Sequence, residues 1–180
     1  MTARVYKGHA GIGLSVTGPA LVAPDNFSAR YDLDRIAGTF SRPSHRLFGE
    51  SYLGRILVLN AAKGGVATAW MLYEMAARGK APLALVLNYA NPIMAQGAAH
   101  ADFPLVDRFG CDITQAIRSG ETITVDPAAG PVTVHGCNPP RRAAFLIIAV
   151  APEGLVPWYA ASLRRCDRGV DRCRAGIGWR

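Results

Sequence analysis

Two runs of apolar residues of strand length stand out in the hydrophobic pattern. They lie in Arg55–Leu59 and Pro82–Leu87, and such continuous runs are typical of strands buried on both faces. Between them, Val66–Arg78 carries apolar residues at spacings of three and four, and Gly79 follows as a stop signal. This stretch is predicted to be a helix. Together the three segments predict a β-α-β unit with parallel strands.

Shorter patterns flank this unit on both sides. Val5–Tyr6 and Gly18–Val22 are apolar runs separated by glycines, which predicts short strands joined by tight turns. Glu121–Asp126 and Val132–His135 alternate in the manner of strands around a turn, which predicts a hairpin. The expected fold class is α/β, with a central βαβ unit and flanking β-hairpins.

Two further helices are predicted from their starting residues. Asn91 is a candidate cap with Pro92 in the first turn, and Asp112 is a candidate cap for a short third helix. On the central helix, Trp70 and Tyr73 are candidate core residues.

The polar segment Asp25–Phe48 is predicted to be a long, ordered surface loop, a kind of segment that often carries function. In it, His45 is a candidate for substrate contact or proton transfer, because the pKa of a free histidine lies near neutrality. A loop histidine that bonds to the backbone is the alternative interpretation. Arg30 is a candidate clamp for a substrate carboxylate. Asp32 and Asp34 are predicted to face one side of an extended segment, where a solvated face is the simpler interpretation.

Charge divides the chain into two parts. The 180 residues carry a net charge of +7, but 137–180 alone holds eight arginines against three acidic residues. We therefore expect a nearly neutral domain over 1–136 and a basic, Arg-rich tail over 137–180. Such a composition is typical of an authentic basic extension or of out-of-frame translation of GC-rich DNA. The domain has no basic stripe interleaved with aromatic residues, so nucleic-acid binding is not expected.

The sequence lacks the patterns that are typical of membrane-spanning, secreted and metal-binding proteins. No apolar stretch is long enough to span a bilayer and no secretory signal is visible, so a cytoplasmic protein without membrane contact is expected. The four cysteines are widely spaced and form no CxxC pair. We therefore expect that this chain binds no metal and no cofactor of its own.

The glycine-rich turn between the first buried strand and the helix is the most informative segment. Backbone N–H groups and the positive end of a helix dipole suit a carboxylate or a phosphate there, and a lysine adds a mobile positive charge. A tight turn without ligand is the alternative interpretation. The predicted substrate-binding residues of this segment are Asn60, Lys63, Gly64, Gly65 and Thr68.

An ordered set of short motifs resembles the small, swivelling subunit of aconitase X over Val5–Val134. The motifs are Gly18–Val22, Pro43–Ser51, Gly54–Val58, the glycine-rich turn, Gly79–Pro82, Asn91–Ile93, Gly97 and Pro104–Asp107. The resemblance implies a swivelling β/β/α domain that closes over a larger partner subunit holding an iron–sulfur cluster. It also implies a hydro-lyase that dehydrates a small hydroxy acid, with a serine of the turn as the base.

The turn departs from the family pattern at the position of that base. Lys63 stands for the family arginine, and Gly65 and Val66 stand where hydroxyl or thiol residues are expected. Neither accepts a proton. Three hypotheses remain: a hydro-lyase whose base comes from the large subunit, from Lys63 or from His45; an isomerase with the same cluster; or a non-catalytic anion-binding or regulatory subunit.

Overall fold

A computed structural model describes residues 3–135 of the chain. Nine strands and three helices lie within those residues. The strands are β1 (Arg4–Lys7), β2 (Val16–Val22), β3 (Leu33–Asp34), β4 (Thr39–Phe40), β5 (Ile56–Ala61), β6 (Ala84–Tyr89), β7 (Leu105–Asp107), β8 (Thr122–Val125) and β9 (Pro131–Val134). The helices are α1 (Val66–Ala77), α2 (Pro92–His100) and α3 (Ile113–Ala116).

Seven strands form one mixed sheet in the order β1-β9-β8-β2-β5-β6-β7. Strands β2, β5, β6 and β7 are parallel to their neighbours in this group, and β8, β9 and β1 continue the sheet with antiparallel pairs. The predicted α/β class and the central β5-α1-β6 unit are confirmed. Strand β5 runs two residues further than predicted, so that Asn60 lies in the strand and not in the turn.

The predicted N-terminal hairpin is wrong, since β1 and β2 do not pair with each other. The predicted β8–β9 hairpin is present and lies between them in the sheet. Residues between β1 and β2 instead reach β7, where His9 N donates to Asp107 O and Ile12 pairs with Leu105. A Cβ atom on Gly11 would lie 1.9 Å from the Leu105 carbonyl oxygen, so the glycines serve this close backbone approach.

The apolar runs in the central strands are buried on both faces, as predicted. Leu57 and Leu59 of β5 belong to the core cluster beneath α1 and α2. Ile56 and Val58 alternate with them and belong to a second cluster that includes residues of α3 and of the β8–β9 hairpin. Because side chains alternate across a strand, one apolar run fills both cores.

The segment 25–48 is more buried than the predicted surface loop. It contains the small β3–β4 sheet, and Phe27 and Phe40 are completely buried in the core beneath α1. The aromatic residues of α1 show the opposite error, since Trp70 is 66% exposed and Tyr73 46% exposed. The core-facing residues of α1 are Thr68, Leu72 and Met75.

Several sequence predictions fall outside the described residues. They are the basic tail 137–180 and the three cysteines at 137, 166 and 173. Within residues 3–135, none of the helices is long and apolar enough to cross a bilayer.

The packing of α1 against α2 generates a stability prediction. A Cβ atom on Gly97 of α2 would lie 2.6 Å from the Cβ of Ala69 and 2.8 Å from its Cα. Gly97→Ala is therefore expected to lower the free energy of unfolding by about 1–2 kcal/mol, because overpacking outweighs the gain in helix propensity. Urea denaturation measures the change in the free energy of unfolding. Gly110→Ala is the matched control, since no atom lies within 4 Å of its added Cβ; equal losses in both variants would contradict the packing argument.

Candidate functional site

The glycine-rich turn has a conformation that requires glycine at one position. Gly64 has φ +118°, and a Cβ there would lie 2.2 Å from Thr68 Oγ1. Thr68 is buried against Gly64, with 2% of its surface exposed, and it is not among the residues that line the cavity described below. Gly65 is the N-cap of α1 and supplies no side-chain acceptor to the first N–H groups of the helix.

Backbone pairing brings the segment 25–48 against this turn. Phe27 N donates to Ala61 O at 2.8 Å, and Lys63 N donates to Phe27 O at 2.6 Å. Asn60 N also donates to Asp25 O at 3.0 Å. These bonds extend the end of β5 by one short parallel bridge, and they place the polar residues of the loop beside Lys63.

A cavity of about 380 Å³ opens between the loop and the turn, and we call it the turn cavity. It brings together three predicted site residues from two distant segments: His45, Lys63 and Gly64. No ion pair among residues 3–135 involves Lys63. The full lining is Asp25, Asn26, Ser28, Tyr31, Asp32, Arg42, Ser44, His45, Lys63 and Gly64.

His45 is a buried wall of the turn cavity and not a surface loop histidine. Its ring stacks on Phe40 with 4.6 Å between the centroids. Leu47 N donates to Nδ1 at 3.1 Å, so Nδ1 carries a lone pair and the neutral ring holds its proton on Nε2. The buried Nε2 has no partner among the described residues. His45 therefore lines the cavity and carries a buried hydrogen-bond donor without a partner among the described residues.

Ser28 is a site residue that the sequence analysis missed. It is 5% exposed, and its hydroxyl has no partner among the described residues. Its backbone is held by Asp32, whose Oδ2 accepts from Ser28 N at 2.7 Å and whose Oδ1 accepts from Arg42 at 3.2 Å. A buried polar atom without a partner costs about 1–3 kcal/mol, so two such atoms on one wall indicate a polar ligand.

Asn60 is engaged in a network of side-chain amides at the carboxyl ends of the parallel strands. Its Nδ2 donates to Asn26 Oδ1 at 3.1 Å, and its Oδ1 accepts from Asn88 Nδ2 at 3.2 Å. Asn88 also donates to Asp112 Oδ1 at 2.7 Å. The structure thus gives Asn60 a positioning role beside the turn cavity, whose wall it does not form.

The structure does not bring Arg30 to the turn cavity. Tyr31 N and Asp32 N both donate to Ser28 O, and this tight turn leaves Arg30 on its outer side. Its guanidinium lies 5.4 Å from the centre of the Tyr31 ring, and it lines a separate cavity that includes Glu74. The prediction of a carboxylate clamp at Arg30 has no support from this geometry.

The described residues do not form a metal centre. Within residues 3–135, no group of three His, Cys, Asp or Glu side chains is arranged to hold a metal ion. Cys111 is an exposed free thiol, whereas clusters are held by several thiolates. An iron–sulfur cluster therefore does not fit this part of the chain, and its place in a partner subunit stays a prediction.

Comparison with known proteins decides the family. The family model of the aconitase X swivel domain matches residues 5–134. The chain belongs to the aconitase X swivel domain family. The turn cavity of this swivel domain lies wholly within the matched residues, and the family resemblance inferred from the sequence motifs is confirmed.

The relatives match this chain over most of their own length. A protein of Methanocella arvoryzae named phosphomevalonate dehydratase small subunit is 36% identical over 124 residues, which are 69% of this chain and 94% of the relative. A Thermococcus sibiricus protein of the same name is 34% identical over 72% of this chain and 97% of its own. The crystal structure of Thermococcus kodakaraensis aconitase X, in its holo-form, superposes with a TM-score of 0.68 at 27% identity, covering 73% of this chain and 98% of that one.

The conformation of the turn predicts different outcomes for its two glycines. Gly64→Ala is expected to lower the free energy of unfolding by about 1–3 kcal/mol, because alanine is strained at φ +118° and its Cβ would collide with Thr68. Gly65→Ala is the matched control, since its backbone is extended and no atom lies within 4 Å of the added Cβ. Urea denaturation of both variants checks this. A Gly65 variant as unstable as the Gly64 variant would contradict it.

The amide network predicts a pH dependence of stability. Hydrogen bonds from the Asn88 amide and from Thr114 stabilise the ionised form of Asp112 and lower the pKa of its carboxyl below 3.8. The carboxylate therefore adds stability above the unfolded-state pKa, and this contribution is lost as the pH falls through the lower folded-state pKa.

Urea denaturation of wild type and Asp112→Asn at several pH values measures this contribution. The asparagine keeps an acceptor oxygen for the same donors, but it does not ionise. We expect wild type to be the more stable at pH 7, with the difference shrinking as the pH falls below about 4. A difference that does not change with pH would show that the charge of Asp112 contributes nothing.

Proposed function

We propose that this chain is the small subunit of a hydro-lyase that removes water from a small hydroxy acid. The reaction would need a larger aconitase X-type subunit that holds an iron–sulfur cluster. One observation carries the proposal: His45, Lys63 and Gly64 line one cavity at the turn of a swivel domain. The relatives' name, phosphomevalonate dehydratase small subunit, supports both the reaction class and the larger partner.

In this proposal the chain binds and orients the anionic part of the substrate. The Lys63 ammonium supplies the charge, the turn at the start of α1 supplies the positive end of a helix, and His45 donates from Nε2. In a dehydration a base takes a proton from the carbon next to the carboxylate, and the electron pair of that C–H bond forms the C=C bond. As the C–O bond breaks, the hydroxyl takes up a proton from a general acid and departs as water. Closure of the small subunit would exclude bulk water from this step.

The base is assigned to the larger subunit in this proposal. Gly65 and Val66 have no proton-accepting side chain, and His45 presents its protonated nitrogen to the cavity. His45 and Lys63 therefore act on the substrate as hydrogen-bond donors. The same contacts would also serve an isomerisation, in which water is removed and added back at the neighbouring carbon.

An exposed apolar surface next to the turn supports the partner subunit. Val66, Trp70 and Tyr73 of α1 are 61%, 66% and 46% exposed, and with Ile93 of α2 they line a groove of about 550 Å³. Val66 directly follows the turn, so this surface is continuous with the candidate site. Exposed aromatic clusters of this kind mark protein interfaces.

A non-catalytic anion-binding or regulatory subunit is the second candidate function. The observation in its favour is the absence of a hydroxyl or thiol side chain at Gly65 and Val66. Such a subunit would bind the larger chain and an anion, and the complex would turn over at the same rate when the anion contacts are removed.

Reconstitution of the complex separates these functions. The chain is co-expressed under anaerobic conditions with the large aconitase X-type subunit from the same genome, and the complex is purified and inspected for iron–sulfur absorption. Hydroxy acids, phosphomevalonate among them, are then screened for loss of water. A stable complex that dehydrates one of them supports the hydro-lyase. A chain that forms no complex contradicts both candidate functions.

Lys63→Ala tests the anion contact in that complex. We expect KM for the hydroxy acid to rise about 10- to 100-fold, because a charged hydrogen bond is worth about 1.5–3 kcal/mol. Lys7→Ala is the matched control, since Lys7 is exposed on the edge strand β1 and lies outside the turn cavity. Unchanged KM and kcat in the Lys63 variant would contradict a contact between Lys63 and the substrate and would favour the non-catalytic subunit.

A further inference from the structure

Two buried side chains of the turn cavity carry polar groups whose hydrogen-bonding capacity is unused among the described residues. Ser28 is 5% exposed and His45 6% exposed. Ser28 Oγ and His45 Nε2 are the buried side-chain polar atoms of residues 3–135 that have no hydrogen-bond partner. Both residues line the same cavity as Lys63.

The free groups on this wall are hydrogen-bond donors. Leu47 N donates to His45 Nδ1, which leaves the ring proton on Nε2. The Ser28 hydroxyl can also donate a hydrogen bond. Both oxygens of the Asp32 carboxylate are engaged, by Ser28 N and by Arg42. Asp25 accepts from Arg46 N at 2.9 Å through Oδ2, which also lies 4.0 Å from His45 Nδ1.

The wall is also rigid before any ligand arrives. The carboxylate of Asp32 holds the backbone of Ser28, and the Phe40 ring and Leu47 N hold the imidazole of His45. Donors that are fixed in place lose little entropy when an acceptor binds, and they discriminate against ligands that lack one.

We propose that Ser28 and His45 form an oxyanion subsite that binds a carboxylate or phosphate group of the substrate. Lys63 balances the charge of that group from the opposite wall. Ser28 and His45 lie in the segment 25–48, whereas Lys63 lies in the turn before α1. The substrate would therefore be held between that segment and the turn. That the ligand is a substrate rests on the proposed function. The binding of an oxyanion by Ser28 and His45 does not depend on it.

Nuclear magnetic resonance of the full-length chain tests the subsite directly. Long-range ¹H–¹⁵N spectra report which ring nitrogen of each histidine is protonated, and we expect His45 to be protonated at Nε2 in the neutral form. Titration with inorganic phosphate and, separately, with malate should shift the Nε2 signal. A response to phosphate alone assigns a phosphate subsite, and a response to malate alone assigns a carboxylate subsite. A proton on Nδ1, or no response to either anion, overturns the proposal.

Ser28→Ala separates binding from folding. The affinity for the responding anion should fall about ten-fold, the loss expected for one hydrogen bond to a charged group. The stability to urea should not fall, because the hydroxyl has no partner to lose. Ser15→Ala is the matched control with the opposite signature, since its hydroxyl bonds to Val125 O far from the cavity. Loss of stability without loss of affinity in the Ser28 variant would overturn the proposal.

A pair of substitutions tests the donor on His45. In His45→Gln the side-chain amide nitrogen can reach the position of Nε2, whereas in His45→Asn the amide oxygen can replace only Nδ1 as the acceptor for Leu47 N. We expect the glutamine variant to retain most of the affinity and the asparagine variant to lose about ten-fold. Equal affinities for both variants would overturn the assignment of Nε2 as the donor.

The reconstituted complex distinguishes this inference from the proposed function. If the complex dehydrates a hydroxy acid and Ser28→Ala leaves KM unchanged, the subsite is wrong while the function stands. If the chain binds the anions through Ser28 and His45 but the complex removes water from no hydroxy acid, the function is wrong while the subsite stands.

Discussion

The candidate site depends on the backbone pairing between the loop at Asp25–Phe27 and the end of β5. Three hydrogen bonds join these segments, from Phe27 N to Ala61 O, from Lys63 N to Phe27 O and from Asn60 N to Asp25 O. They hold a wall that carries neutral donors against a turn that carries an ammonium group. Since Phe27 is fully buried beneath α1, core packing and site assembly depend on the same residue, and the wall cannot move away from the turn without exposing the core.

Much of the fold could be predicted from local patterns, and the errors come from contacts that are distant in sequence. The β5-α1-β6 unit was predictable because its apolar runs and its helical spacing are local signals. The N-terminal hairpin was wrong because the antiparallel partners of β1 and β2 lie more than 100 residues away, in the β8–β9 hairpin. Trp70 and Tyr73 were placed in the core because helical spacing does not show which face of α1 meets the sheet.

The site shows the same division between local and distant information. Lys63 and Gly64 were predictable from a turn that leaves a strand and enters a helix, and His45 was predictable from its residue type in a polar loop. That these residues line one cavity was not predictable, because it depends on the backbone pairing of Asp25–Phe27 with the end of β5 and with the turn. Ser28 was missed because a serine in a polar loop carries no signal by itself; the acid four residues later, Asp32, holds its backbone, but such spacing is common.

Family membership and geometry both support the proposal that this subunit binds and orients a substrate. The two buried cavity atoms without a partner among the described residues, Ser28 Oγ and His45 Nε2, can both donate a hydrogen bond, and Gly65 and Val66 of the turn have no proton acceptor. A site of this composition holds an anion well but needs chemistry from elsewhere. The exposed aromatic residues that begin beside the turn indicate the side from which a partner would supply it.

The most direct measurement is a structure of the complex with the large subunit and a bound hydroxy acid. The account predicts that an anionic group of the substrate lies within about 3.2 Å of both His45 Nε2 and Lys63 Nζ, in a cleft closed by the partner. A complex in which the turn cavity faces away from the partner, with the substrate bound entirely by the larger chain, would contradict it.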